Sequence, residues 1–297
     1  LLKRAIHAQT LTVTPPAWVS GLKFLAIDEA QDLDEDQVVF LGHLPRHAPT
    51  AQVLLVGDPD QTIYGFRGAN SRFLTDPTYW IPGRMKITDL ALNVNYRSAQ
   101  GIVNLAREVM HCPMTPGRSE RHPAVRYTHA SSPEEEASQI VSDIRTLIAL
   151  QVPPNQIAVL GRMRRTLDLI RKEAQRWDIP VWMPPPKDSL IDHEDPQGPS
   201  TQQIILGTMH SSKGRQWRVV FLPGLQEGTI PYHGTKDPDE EQRLLYVAVT
   251  RAEQLLWCSW SGTRTPLLPR DLPLLAHHEE SLSEDEASSP LQREVLS

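Results

Sequence analysis

The chain has 297 residues, which is enough for one large domain or two domains of ordinary size. Its formal net charge is −6, so binding to nucleic acid would depend on local basic patches and stacking, not on an overall positive field. No apolar stretch approaches the roughly 18 residues of a membrane span. The two cysteines, Cys112 and Cys258, lie far apart without clustered metal ligands, which favours a reducing, cytoplasmic compartment and no zinc site.

Short apolar runs typical of β-strands recur along the chain, and helical patterns lie between several of them. The predicted strands are 23–27, 52–56, 86–92, 124–128, 156–160, 203–207, 219–222 and 255–259. The predicted helices are 98–110, 132–150, 164–177 and 239–254. Strands that alternate with helices predict parallel α/β layers, and in open sheets of this kind ligands lie at the carboxyl ends of the strands.

The first predicted strand runs directly into two carboxylates in the stretch FLAIDEAQD, residues 24–32. At a strand end, Asp28 could hold Mg²⁺ and the adjacent Glu29 could polarise an attacking water. Taken alone, the pair is equally consistent with an acidic turn after a buried strand. A metal-dependent nuclease would need further convergent carboxylates, which only the acidic run 32–36 offers nearby.

The second predicted strand leads into a Gly-containing turn with aromatic residues, LLVGDPDQTIYGFRGA, residues 54–69. Gln61 is of the type that contacts a γ-phosphate or orients water in some nucleotide hydrolases. Tyr64 and Phe66, with Arg67 beside them, suit stacking on the bases of a single strand. The alternative is a turn with two core aromatics.

Three later stretches carry polar residues at the ends of predicted elements: LNVNYRS (92–98), LGTMHSSKGRQW (206–217) and EEQRLLYVAVTRAEQ (240–254). The second could bind a phosphate through backbone N–H groups and Lys213. In the third, Arg251 near the end of an amphipathic helix would suit charge stabilisation on a transferring phosphoryl group. Each stretch alone is also explained by a capped turn with an exposed Arg.

Taken together and in this order, the five stretches resemble motifs II to VI of the UvrD/Rep family of superfamily 1 DNA helicases. The matching segments are DEAQD, GDPDQTIYGFRGA, LNVNYRS, TMHSSKGRQW and LLYVAVTRAE. The resemblance spans about residues 20–260. It implies an α/β fold of RecA-like parallel sheets flanked by helices, with one partial and one complete domain of the P-loop NTPase type.

The resemblance also implies which residues use ATP and Mg²⁺. Asp28 would bind the metal, Glu29 would be the catalytic base, and Gln61 would contact the γ-phosphate and couple the nucleotide state to DNA.

On the same grounds, Tyr96 would stack on the adenine and Arg97 would reach the γ-phosphate. Arg251 would be a second γ-phosphate Arg, acting as an arginine finger in cis. Gln216 stands where the family has a Glu that contacts the ribose, and a Gln could still bond to a hydroxyl there.

For DNA, Tyr64 and Phe66 match aromatic positions along the family's single-strand path, and Thr208 and His210 match DNA-contacting positions. Members of the family close two RecA-like domains on ATP and open them after hydrolysis, and so move along single-stranded DNA, usually from 3′ to 5′. Only about 110 residues separate Arg97 from Thr208, so the additional domain that larger members insert there has no room in this chain.

The chain contains no G-x-x-x-x-G-K-[ST] loop and no Gly-Lys pair at all. We therefore interpret residues 1–90 as the C-terminal portion of a first RecA-like domain, 91–262 as a complete second one, and 263–297 as a disordered tail. Residues 184–202 are a polar, Pro-rich linker. Two hypotheses follow: a helicase motor whose phosphate-binding loop comes from an upstream segment or a partner chain, or a truncated remnant that binds DNA or protein and hydrolyses nothing.

Overall fold

Every ladder between strands in the described part of the chain is parallel. The computed structural model describes residues 17–81, 86–119, 124–183, 198–235 and 237–270. Its internal contacts divide the chain into two compact units, Leu1–Ala91 and Leu92–Ser297, named here unit 1 and unit 2. Parallel sheets flanked by helices confirm the predicted α/β fold class.

Unit 1 is built around a sheet of two parallel strands. Its elements are α1 (Ala17–Ser20), β1 (Phe24–Ile27), α2 (Glu35–His47), β2 (Gln52–Leu55) and α3 (Arg72–Thr75). One face of the sheet packs into a small core, with Leu25, Ile27 and Val53 turned toward Val38 and Phe73. The parallel register pairs Ala26 with Leu54 on the opposite face.

Helix α2 was not among the predicted elements, although its start carries a clear signal. The side chain of Asp34 accepts a hydrogen bond from the backbone N–H of Gln37 at 2.8 Å, and the Gln37 side chain accepts one from the N–H of Asp34 at 3.0 Å. This reciprocal pair is a capping box, which stabilises a helix start by satisfying free N–H groups. Part of the acidic run 32–36 therefore begins a helix.

Unit 2 contains a six-stranded sheet in the order β5-β10-β9-β6-β8-β7 and a two-stranded sheet of β3 with β4. Its strands are β3 (Val94–Asn95), β4 (Thr115–Pro116), β5 (Val125–His129), β6 (Ile157–Gly161), β7 (Val181–Trp182), β8 (Ile204–Thr208), β9 (Trp217–Leu222) and β10 (Ala252–Trp260). Its helices are α4 (Gln100–Met110), α5 (Pro133–Ala149), α6 (Arg164–Arg176) and α7 (Pro238–Val249).

Strand β6 is buried at all of its positions, so both faces of the large sheet are covered. On one face α5 and α6 pack over a core in which the rings of Phe221 and Trp257 stack at 4.8 Å. Helices α4 and α7 pack against each other and contact β10. Continuous apolar runs such as β6 are what a parallel sheet covered on both faces requires.

Two predicted elements differ from the structure: one strand is not formed, and one helix ends earlier than expected. The strand expected over 86–92 is not formed, because within the described residues its backbone has no neighbouring strand to pair with. The helix expected over 239–254 ends at Val249, where the hydroxyl of Thr250 donates back to the carbonyl oxygen of Tyr246 at 3.0 Å. The residues from Ala252 onward belong to β10, which leaves Arg251 in the bend between helix and strand.

Two predicted irregular segments fall largely outside the described residues. Of the linker over 184–202, residues 184–197 lie outside them, and of the tail from residue 263, residues 271–297 do. Packing continues past residue 263, since Leu268 is buried and the N–H of Thr265 donates to the carbonyl oxygen of Leu225 at 3.0 Å. Among the described residues, no helix has the length and apolar character to cross a membrane.

Asp143 on α5 makes the stability of unit 2 dependent on pH. Burial raises the pKa of its carboxyl group to about 6, against an opposing effect of Arg126. The folded state therefore holds the proton more tightly than the unfolded state, so stability falls as pH rises from about 4 to about 6. Asn does not titrate, so we expect Asp143→Asn to lose roughly 1–2 kcal/mol less of its free energy of unfolding over this pH range than the unaltered chain. This value is discounted because Asp143 is partly exposed. Urea unfolding of the variant and the unaltered chain at pH 4 and pH 6 measures this difference. An equal pH dependence of stability in both proteins would contradict the prediction.

Candidate nucleotide and nucleic-acid sites

Asp28 and Glu29 lie where β1 ends, and both are exposed. Glu29 adopts a left-handed backbone conformation with φ of 52°, which is uncommon for a residue other than Gly. Its N–H donates to the carboxylate of Asp28 at 2.9 Å, and a short 3₁₀ turn follows from Ala30 to Asp32. This sharp turn places both side chains at the carboxyl edge of the sheet, as predicted.

A buried glutamine, which no sequence pattern singled out, connects the two strands of this edge. The side chain of Gln31 is inaccessible to solvent, and its amide nitrogen donates to the Glu29 carboxylate at 2.5 Å. Its amide oxygen accepts from the N–H of Asp58 at 3.2 Å. A Cβ on Gly57 would lie 2.2 Å from that oxygen, so a glycine is needed for this contact. The contact depends on β1 and β2 being neighbours, which residue spacing cannot reveal.

Gln61 lies at the carboxyl end of the neighbouring strand β2, in a 3₁₀ turn over Pro59–Gln61. Its side-chain amide donates to the carboxylate of Asp58 at 2.9 Å, and the other oxygen of that carboxylate accepts from the N–H of Asp60. The structure therefore joins Glu29, Gln31, Asp58 and Gln61 by consecutive hydrogen bonds.

The three predicted stacking residues form one cluster. The rings of Tyr64 and Phe66 meet edge to face at 6.1 Å, and the Arg67 guanidinium lies 5.3 Å and 5.4 Å from their centroids. Phe66 is 66% exposed. Burial raises the pKa of the half-buried Tyr64, and the negative charges of Asp32 and Glu29 add to this while Arg67 opposes it. The phenol thus lies within the electrostatic field of the carboxylate edge.

In unit 2, the predicted adenine and phosphate residues lie on an anchored turn. The side-chain oxygen of Asn95 accepts from the N–H groups of Arg97 and Ser98, both at 2.9 Å. The buried Ser98 hydroxyl donates to the carbonyl oxygen of Ala252 at 2.7 Å, which fixes the turn to the start of β10. Tyr96 is 71% exposed, and Arg97 is exposed as well.

Arg251 lies in this region but is buried, and it folds back onto its own unit. Its guanidinium donates to the carbonyl oxygens of Val247 at 2.9 Å and Arg215 at 3.1 Å. Its own carbonyl oxygen accepts from the N–H of Trp217 at 2.9 Å. Gln216 is exposed on the same connection. The sequence suggested an Arg projecting from a helix, whereas Arg251 lies just beyond the helix end and its side chain is held by backbone carbonyl oxygens.

The predicted DNA residues of unit 2 lie at the opposite edge of the sheet. Thr208 ends β8, and its hydroxyl accepts from the N–H of Ser211 at 3.3 Å, which caps the 3₁₀ turn Met209–Ser212. His210 lies within that turn and is partly exposed. The chain then runs from the carboxyl end of β8 to the amino end of β9.

The predicted site residues lie at both ends of the strands and not only at the carboxyl ends, where the crevice rule expects ligands. Asp28, Glu29 and Thr208 lie at carboxyl ends. Gln216 and Arg251 lie beside the amino ends of β9 and β10, because each of them precedes its strand in the sequence.

Two family models of UvrD-type helicase domains match this chain. The family model of the UvrD-like helicase C-terminal domain matches residues 90–184 and 187–263, and that of the UvrD/REP helicase N-terminal domain matches residues 8–78. The chain belongs to the UvrD-like helicase family, which confirms the resemblance drawn from the motifs.

Two relatives that the chain matches are described as DNA helicases. The ATP-dependent DNA helicase UvrD2 of Mycobacterium tuberculosis (strain ATCC 25618 / H37Rv) is 25% identical over 71% of this chain and 44% of its own length. DNA helicase IV of Escherichia coli (strain K12) is 26% identical over 85% of this chain and 36% of its own length. This chain thus spans less than half the length of these relatives.

A solved structure, the C-terminal domain of a possible DNA helicase from a Lactobacillus, also aligns with this chain. It covers 59% of this chain and 92% of its own, at 19% identity and a TM-score of 0.43.

Proposed function

We propose that this chain is the motif II to VI part of an ATP-dependent DNA helicase that moves along single-stranded DNA from 3′ to 5′ and unwinds duplexes. The observation that carries the proposal is the bridge made by Gln31 between the Glu29 carboxylate and the N–H of Asp58. It ties the group that would activate water to the turn that bears Gln61. Beyond that turn lie the aromatic residues suited to DNA, so a change at the phosphate can be transmitted to the DNA-binding cluster.

For hydrolysis, Glu29 is proposed to accept the proton of the attacking water, and Gln61 to respond to the γ-phosphate. Tyr96 presents an exposed ring suited to stacking on adenine, with Arg97 next to it. Gln216 is exposed and can bond to a ribose hydroxyl.

Arg251 is proposed to bind the γ-phosphate, as the motif resemblance implies. In this role its guanidinium would exchange its backbone acceptors for phosphate oxygens. Its present bonds to Val247 and Arg215 hold the charge in one place until then.

Asp28 fits the role of a magnesium ligand. Its carboxylate is exposed at a strand end, and Mg²⁺ is commonly held by one or two carboxylates together with substrate phosphates and water. No cluster of three or more potential metal ligands occurs in the described ranges. The ion would neutralise charge on the β- and γ-phosphates.

For DNA, the cluster of half-buried Tyr64 with exposed Phe66 and Arg67 combines two rings with a cation, the combination that binds splayed bases. Thr208 and His210 are proposed to add contacts from unit 2.

The outward face of the sheet in unit 1 supports the proposal that another segment supplies the phosphate-binding loop. Phe24 is 52% exposed, and Leu54 and Val56 are each 44% exposed, although they follow buried-strand sequence patterns. In parallel sheets of α/β proteins both faces are normally covered. An upstream segment or a partner chain that carries a Gly-Lys-Thr loop would extend this sheet with further parallel strands, and the helices that connect those strands would cover this face.

The segment 86–92 points to the same requirement. Leu90 and Leu92 are 85% and 96% exposed in a stretch whose sequence is typical of a strand. A strand supplied from elsewhere would give its backbone the partner that it lacks among the described residues.

The decisive experiment is a steady-state ATPase assay of the chain with single-stranded DNA, alone and fused behind a UvrD/REP N-terminal segment that carries the Gly-Lys-Thr loop. We expect no turnover from the chain alone and DNA-stimulated turnover from the fusion. The second candidate is a non-catalytic module that binds DNA or protein, and the observation that favours it is the lack of any Gly-Lys pair in the sequence. A fusion that binds DNA but never hydrolyses ATP would support this candidate. Glu29-dependent turnover by the chain alone would overturn the need for an added loop.

A further inference from the structure

A tyrosine outside the five motifs is held rigidly at the carboxyl edge of the large sheet. Tyr232 lies in the connection between β9 and α7 and is 39% exposed. Its N–H donates to the Glu241 carboxylate at 3.1 Å, and its carbonyl oxygen accepts from the N–H of Thr235 at 2.9 Å. A Cβ on Gly234 would lie 2.6 Å from the ring, so the ring packs closely on the backbone there. Both the backbone and the ring are therefore constrained.

A buried ion pair supports the ring. The Arg162 guanidinium lies 5.3 Å from the Tyr232 centroid and binds Glu241 in a bidentate manner, with Nε–Oε2 at 3.0 Å and Nη2–Oε1 at 2.8 Å. Glu241 is only 3% exposed. A ring fixed against a cation loses little conformational freedom when a base stacks on it, which is the property of a stacking platform.

The sheet register and helix packing place the supports of this ring in the same region as the predicted DNA residues of unit 2. Gly161 at the end of β6 pairs with Thr208 at the end of β8, and Arg162 is the next residue after Gly161. Neighbouring strands are about 4.8 Å apart, so the backbone of Arg162 lies beside the start of the turn that holds His210. Helix α7, which carries Glu241, packs against that turn.

The charges around Tyr232 favour a base over a phosphate as its ligand. Asp237 and Asp239 lie at the start of α7, on the same edge of the sheet, and their negative charge would repel a phosphate. An aromatic face with acidic neighbours can still stack on a base, because stacking does not need an electropositive surface.

We propose that Tyr232 is a base-stacking residue that extends the single-stranded DNA path of unit 2 beyond Thr208 and His210. This inference depends on the proposed DNA function. Its ligand is an unpaired nucleobase, without sequence preference.

The test is equilibrium binding of the full chain to a labelled oligothymidine longer than the roughly 4–16 nucleotides that one binding domain covers, measured by fluorescence anisotropy. We expect Tyr232→Ala and Tyr232→Leu to weaken binding by about 5- to 150-fold, and Tyr232→Phe to leave it unchanged, because the ring and not the hydroxyl makes the contact. The slope of affinity against salt should stay constant, since no phosphate contact is lost. With an abasic oligonucleotide of equal length, the Ala variant and the unaltered chain should bind alike.

Trp177→Ala provides a matched control. Trp177 is 50% exposed and carries the Arg145 guanidinium 3.6 Å from its ring centroid, but it follows the far end of α6. Its removal should not change DNA affinity. Equal binding by Tyr232→Ala and the unaltered chain, or an equal loss on abasic DNA, would overturn the stacking role alone. No binding by the unaltered chain would overturn the proposed DNA function together with this inference.

Discussion

Glu29→Gln is expected to lower ATP turnover by about 10²- to 10⁴-fold, the usual contribution of a positioned general base. The assay uses the chain fused to a segment with the phosphate-binding loop, in the presence of single-stranded DNA. Gln is nearly the same shape as Glu and can still accept the hydrogen bond that the Gln31 amide donates to Glu29. It cannot take a proton from water, so the fold and ATP binding should persist while hydrolysis is lost.

Glu35→Gln is the matched control for this change. Glu35 is an exposed carboxylate six residues further along, in the first turn of α2, and makes no part of the proposed site. Its substitution removes the same charge from the same unit and should leave turnover unchanged. ATP binding, measured separately by a fluorescent analogue, should be equal in all three proteins. Turnover that survives Glu29→Gln would show that another group activates the water.

Removing the carboxylate of Glu241 is expected to cost unit 2 about 3–5 kcal/mol of its free energy of unfolding. The side chains of Arg162 and Glu241 are 17% and 4% exposed. Glu241→Ala leaves the Arg162 charge unpaired in this environment and also removes the acceptor for the N–H of Tyr232. Breaking one side of a buried pair is far more harmful than the net value of the pair suggests, because the remaining charge has lost both water and its partner. Urea unfolding of the full chain, followed by the fluorescence of its tryptophans, measures the effect.

An exposed pair on the same unit provides the comparison. Arg171 and Asp168 on α6 form a salt bridge at 3.1 Å, with 43% and 46% of their side chains exposed. Asp168→Ala should cost at most about 1 kcal/mol, because water screens exposed charges. If both substitutions had the same small effect, the Arg162–Glu241 pair would not be the constraint on Tyr232 that the further inference requires.

Several elements could be predicted because their residues carry local signals. Helix α5 begins at Ser132, whose hydroxyl oxygen accepts from the N–H of Glu135 at 3.1 Å, and three glutamates follow in its first turn. Buried runs such as β6 and β8 are apolar on both sides, so their strand character is visible without any knowledge of neighbours. Asp34 and Gln37 carry a capping signal of the same local kind at the start of α2, a helix that is absent from the predicted elements.

Other features could not be predicted, because they depend on pairs of residues that are distant in sequence. The segment 86–92 has a strand pattern, but a strand also requires a partner, and none exists among the described residues. Gln31 bonds to the N–H of Asp58 only because β2 lies beside β1, and the sequence does not specify that pairing. Arg251 lies in a stretch that the sequence singled out, and its burial depends on the bend after α7 and on the carbonyl oxygen of Arg215.

The sequence alone determined the α/β class, most strands and helices of the large sheet and membership of the helicase family, because periodicity, caps and motifs are encoded in neighbouring residues. Only the tertiary structure decided that Gln31 links Glu29 to the turn bearing Gln61, that Arg251 is buried, and that Arg162 and Glu241 form an ion pair against Tyr232. These are contacts across strands and between elements, and their existence depends on sheet order and register, which no local pattern specifies.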